Sequence, residues 1–149
     1  MKKILTVCLI LCLFLCGCTA TTTDNGDSNE VPTIDYDNVN FDLTQISENQ
    51  AYNFIYNPLS DPESYIGAAV KMSDKFMVSE YNGKYYYMCA VENHSGESIQ
   101  ALEFIPLDNL SYPDDFPPVD SEITVTGQFA TYSEGSSLYA TLKFAKIEY

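Results

Sequence analysis

Arginine and tryptophan are absent from this 149-residue chain, and histidine occurs once, as His94. Each absence excludes something. Without the planar guanidinium fork, bidentate recognition of carboxylate or phosphate is not available. Nucleic-acid affinity comes largely from cations that neutralise phosphates, and beyond Lys2 and Lys3 the chain offers only Lys71, Lys75, Lys84, Lys143 and Lys146. Nucleic acid is therefore not an expected partner. A single histidine removes any multi-histidine metal site and leaves a Ser/His/Asp triad without a supporting signature. No phosphate-cradling glycine loop and no activated nucleophile is present, so no cofactor is expected and the chain reads as non-catalytic. With no indole available, packing falls to the 12 tyrosines, 8 phenylalanines and the aliphatics.

A long apolar run is also missing. Lys2 and Lys3 precede an uncharged stretch from Ile4 to Leu15, closed by the small residues Gly17 and Cys18. A membrane-spanning helix needs about 20 apolar residues to cross about 30 Å of hydrocarbon, and this stretch is well short of that. Charged, apolar, then cleavable is the layout of a secretory signal. The four residues Leu15-Cys16-Gly17-Cys18 resemble the lipobox of bacterial lipoproteins. That resemblance implies a signal peptide over residues 1–17 and lipidation of Cys18 as the first mature residue. A diacylated cysteine carries two chains, which anchor stably where one binds only marginally. The implied location is the extracytoplasmic face of a cell membrane.

Five cysteines suggest a disulfide scaffold until Cys8, Cys12 and Cys16 are assigned to the signal. With Cys18 acylated, Cys89 has no partner within the chain and is expected as a small buried apolar residue. The chain carries 21 acidic residues and a net charge of −14, and becomes more acidic still when Lys2 and Lys3 leave with the signal. Anionic headgroups would repel such a surface, so the partner of the membrane here is the lipid anchor, with an envelope protein or small ligand as the further partner.

Residues 18–40 are rich in Thr, Asp, Asn, Gly and Ser and cannot bury enough surface to offset the entropy of ordering them. They are expected as a flexible tether holding the domain on the order of 25 Å from the bilayer. Residues 41–149 form the domain. Ser47-Glu48-Asn49-Gln50 has the capping-box arrangement and starts a short helix to about Tyr56, where Asn57-Pro58 ends it. Asp61-Pro62-Glu63-Ser64 is a turn.

From there the period is two. Ala68, Val70 and Met72, then Phe76 and Val78, mark one long strand bent near Asp74-Lys75. Asn82-Gly83 is the strongest hairpin signal in the chain. It leads into Lys84 to Glu92, with Tyr85, Tyr87, Cys89 and Val91 on one face and Tyr86, Met88 and Ala90 on the other. A third strand runs from Ile99 to Ile105. Pro106 to Asp120 holds four prolines and reads as a loop. Glu122 to Tyr132 and Leu138 to Ile147 complete five strands around Gly135-Ser136-Ser137, the last carried by the alternation of Leu138, Ala140, Leu142 and Phe144.

Three strands, a longer connection and a final hairpin suit a five-stranded Greek-key barrel, the OB-fold, preceded by the short helix. Residues 65–149 resemble OB-fold domains of uncharacterised exported lipoproteins through Tyr65-Ile66-Gly67, Leu102-Glu103-Phe104, Tyr112-Pro113, Thr124-Val125-Thr126-Gly127 and Tyr132-Ser133-Glu134. Such proteins often carry cysteines just before the Leu-Glu-Phe segment. This chain has Glu97 to Ala101 there, so a redox or metal role does not carry over. An immunoglobulin-like sandwich is the alternative fold, although its usual complement is about seven strands.

Aromatic side chains on a barrel surface can stack bases or sugars. Tyr85, Tyr86 and Tyr87 are consecutive and must divide between faces, so at least one points outward. Glu103 lies between two inward residues and so faces out. Tyr86, Glu103, Tyr132 and Glu134 are the candidate ligand-binding residues. His94, flanked by Glu92 and Glu97 in a turn, is a weak metal candidate beside the plainer reading of a solvated turn histidine. Asp108, Asp114, Asp115 and Asp120 lack the alternate spacing, central Gly and terminal Glu of an EF-hand loop and read as solubilising. The expected function is an anchored, non-catalytic binding module. The alternatives are an envelope metal-binding protein or enzyme using His94 and acidic residues, and a structural spacer.

Overall fold

The structure, a computed structural model, describes residues 34–149. The signal, Cys18 and residues 18–33 of the expected tether lie outside the described residues. A two-residue strand, β1 (Phe41–Asp42), is followed by α1 (Glu48–Tyr56) and five longer strands: β2 (Ala69–Tyr81), β3 (Lys84–Glu92), β4 (Ile99–Pro106), β5 (Glu122–Glu134) and β6 (Ser137–Glu148). Among the described residues no helix is long and apolar enough to cross a membrane.

The helix starts where its sequence dictates. Gln50 Oε1 accepts from the Ser47 backbone N–H at 3.1 Å and from the Ser47 hydroxyl at 2.9 Å, and Glu48 places a negative charge on the first turn. Ala51 and Ile55, one turn apart, bury the face that meets the sheet. Asn57–Leu59 then tightens into a 3-10 turn with Pro58 buried.

All six strands belong to one mixed sheet in the order β1-β2-β3-β4-β6-β5, and β2 also pairs with β5. The length of β2 makes this possible. Ala69 to Lys75 pair antiparallel with β5, whereas Lys75 to Tyr81 pair antiparallel with β3. Lys75 is paired on both sides, at the point where the sequence places the bend. The hydrogen-bonded order therefore closes into a ring of five strands, in which β4 and β6 run parallel and β1 adds a parallel stub against Val70 and Lys71.

Alternation puts Val70, Met72 and Phe76 of β2 inside, with Cys89 and Val91, Leu102 and Phe104, Ile123, Val125 and Phe129, and Leu142 from the other strands. The long connection after β4 adds Phe116, whose ring lies 4.2 Å from Tyr87 and 5.5 Å from Phe76. Cys89 is a free, buried thiol, and burial pushes its pKa up to about 12. It packs as an apolar group.

On β6 the inward phase does not run through Phe144. The register slips between Thr126 and Gln128, and Phe144 takes a φ of 53°. This bulge turns Phe144 half outward and gives its inward place to Ala145, which is 2% exposed. β1 is a second difference, since two residues are too few to carry a period. The chain is also ordered onto the domain earlier than residue 41. Tyr36 Oη donates to the Phe144 carbonyl at 2.6 Å, its ring lies under the Lys146 ammonium at 3.9 Å, and Asn40 exchanges two hydrogen bonds with Ala69.

Candidate functional site

Residues that alternate with the core face outward, and on four neighbouring strands they meet. Met88 of β3 is registered opposite Glu103 of β4, one step from the buried Cys89 and Leu102 pair. Tyr132 of β5 is opposite Tyr139 of β6, and their rings stack at 5.4 Å. Glu134 lies two residues further along the same face of β5. Together these groups wall a groove of about 620 Å3.

Two hydrogen bonds cross it. The Tyr132 hydroxyl donates to the Glu103 carboxylate. The Tyr86 hydroxyl donates to Glu134 at 3.2 Å and 3.4 Å from its two oxygens. At the rim the Lys84 ammonium stands over the Tyr86 ring, 4.3 Å from its centroid. All four residues singled out from the sequence, Tyr86, Glu103, Tyr132 and Glu134, therefore come together on one wall system, from three strands.

The groove also reaches between strands. It is lined by consecutive residues, Gln100 to Glu103 on β4 and Leu138 to Ala140 on β6. Neighbouring residues of a strand point to opposite faces, so a surface lined by both kinds runs along the strand edges. The pairing explains why. β4 and β6 are joined only from Glu103 and Thr141 onward, and before that point they part. Ile55 of α1 and Leu59 of the following turn contribute an apolar surface to the gap.

The electrostatics are those of a sheltered acidic surface. Partial burial raises the Glu103 pKa, more than the hydrogen bond from Tyr132 and the nearby Lys84 lower it, and Glu134 adds to the rise. Burial and then the two carboxylates push the Tyr132 hydroxyl up as well, so it stays a neutral donor. No family model matches the chain, and no curated protein matches it either.

The remaining candidates do not join this groove. His94 sits in the turn after β3, where its backbone N–H donates to Asn49 Oδ1 at 3.2 Å. Glu92 is held by Lys75 in an ion pair of 2.6 Å, and Glu97 accepts from the Ser95 hydroxyl at 3.3 Å. Among the described residues no group of three or more His, Cys, Asp or Glu is placed to hold a metal ion. Asp115 accepts from the Ser111 backbone N–H at 2.8 Å and shapes its own loop.

Sequence reading missed Met88, Ala101, Leu138 and Tyr139 as groove residues, and Ile55 and Leu59 as its apolar surface. Met88 and Tyr139 were recoverable in principle, being in phase with Tyr86 and Tyr132. Ile55 and Leu59 were not, because nothing local to α1 says which sheet gap it covers.

Proposed function

We propose that the chain is an exported lipoprotein, held by an acylated Cys18 at the extracytoplasmic face of a cell membrane, whose ring is an OB-type Greek-key barrel serving as a non-catalytic binding module. The anchor rests on Lys2-Lys3, the short apolar run and Leu15-Cys16-Gly17-Cys18. The barrel assignment is supported by the ring order and the parallel contact of β4 with β6. Counting from β2, the second and third barrel strands are β3 and β4, and the first and last hairpins are Tyr81–Lys84 and Glu134–Ser137. In OB-folds that face and those two loops take extended ligands, and part of the groove is lined by Tyr86, Met88 and Gln100 to Glu103 of those two strands, with Gly135 of the last hairpin.

The observation that carries the binding function is the meeting of Tyr86, Glu103, Tyr132 and Glu134 on one concave surface. Two measurements test the proposal. Intact-mass analysis of the detergent-extracted chain is expected to find a protein beginning at Cys18 and bearing fatty acid; a chain beginning at Met1, or without lipid, overturns the anchor. Ala101 is exposed and lines the groove, so Ala101→Trp should fill it and leave the fold intact. Envelope extract is expected to raise the melting temperature of the wild-type protein and not that of the variant. Equal shifts in both would place binding elsewhere.

A further inference from the structure

We infer that the groove takes an extended peptide segment of a partner protein, carrying lysine or arginine, laid as an added strand between the parting edges of β4 and β6. This rests on the groove being a binding site and specifies what enters it. Three observations lead there. The first is the edge itself. Among the described residues, β4 pairs only with β3 before Glu103, and β6 pairs only with β5 before Thr141. Each strand thus turns one row of backbone groups toward the groove, the template that strand addition uses.

The second is the contrast between the two sides of that gap. Ile55 and Leu102 belong to the core cluster on the inner side, whereas Tyr86, Glu103 and Glu134 alternate with the core and line the outer side. An added strand sends alternate side chains to each. Apolar residues would meet the first set, and the residues between them would meet tyrosine rings and carboxylates.

The third is charge. Neither Glu103 nor Glu134 is shown in an ion pair among the described residues, in contrast to Glu92, which Lys75 holds. The place for a cation is already illustrated by Lys84, whose ammonium stands on the Tyr86 ring. A second copy of the chain is a poor occupant at net charge −14, and so are residues 18–33, which hold Asp24, Asp27 and Glu30 and no lysine. An anionic ligand would meet carboxylates and no arginine.

The test uses the full chain in detergent and four probes: a peptide alternating valine and lysine, its valine–glutamate counterpart, the valine–lysine peptide with alternate backbone N-methyl groups, and a neutral N-acetylglucosamine oligomer. Binding is read by fluorescence anisotropy and by amide hydrogen exchange. The valine–lysine peptide is expected to bind, to slow exchange at 99–102 and 137–140, and to weaken with added salt. The glutamate and N-methyl peptides should fail. Glu103→Gln combined with Glu134→Gln keeps both side chains hydrogen-bonding and should weaken binding by about tenfold.

An N-methyl peptide that binds as well, or binding untouched by the double variant, overturns the inference by showing attraction to net charge alone. If only the sugar protects the groove, and Ala101→Trp abolishes this, the peptide is wrong and the binding site stands. Self-association removed by Ala101→Trp would give the groove to a second copy and also overturn the inference. No change in exchange at the groove with any probe or with envelope extract removes the binding site itself.

Discussion

Glu103 is pulled two ways: burial favours its neutral acid, whereas the Tyr132 hydroxyl and Lys84 favour its carboxylate, and burial wins. A carboxyl whose folded pKa lies above its unfolded value contributes stability that is complete below the ordinary glutamate range and is lost as pH rises through the raised value. Glu103→Gln removes that dependence while Gln can still accept from Tyr132. Urea unfolding should therefore find the variant gaining on the wild-type protein as pH rises from about 4 to about 7. A wild-type protein that gains instead would mean the hydrogen bond outweighs burial. Gly127 is constrained in another way. A Cβ there would lie 2.8 Å from Leu142 Cβ and 3.0 Å from the Lys143 carbonyl oxygen, where β6 bulges against β5. Gly127→Ala should cost about 1–3 kcal/mol, read as a lower urea midpoint. That Gly127 lies within a strand was legible, but its lack of room was not, because the atoms that crowd it come from the neighbouring strand.

At the level of elements, α1 is held by packing more than by its own propensity. Nine residues are too few for an isolated helix to persist in water. Ile55 is 5% exposed and joins the core cluster, so Ile55→Ala should cost about 2–4 kcal/mol. Ser47→Ala, which loses the capping interaction, should cost about 1 kcal/mol. Thermal and urea unfolding of the two variants check this order, and its reversal would mean that the helix stands largely alone. The start of α1, both hairpins and the extents of the long strands could be read from the chain, because capping residues, Asn82-Gly83 and period-two alternation are local signals. The bulge at Phe144 could not. The alternation of Leu138, Ala140 and Leu142 continues smoothly through it, and the break arises because β6 must pair with β4 and β5 while the sheet curves.

For the whole molecule, 21 acidic residues face seven lysines, so most carboxylates have no lysine to pair with. Self-repulsion on this scale opposes the compact state and is screened by salt. Unfolding in urea should require more denaturant at about 0.5 M sodium chloride than at about 0.05 M; a lower midpoint at high salt would show that local attractions dominate. The residues by themselves determined the β class, the short helix α1, the succession of the long strands along the chain and the exclusion of arginine-dependent recognition. Composition and neighbouring positions are enough for each of these. Only the tertiary structure decided that β2 serves two partners and closes the ring, that Tyr36 and Asn40 belong to the domain, and that the outward tyrosines and glutamates share a groove. Tyr86 meets Glu134 across 48 positions, and Tyr132 meets Glu103 across 29. Such meetings depend on strand register and on where β4 and β6 part, and both are set by how the whole core packs.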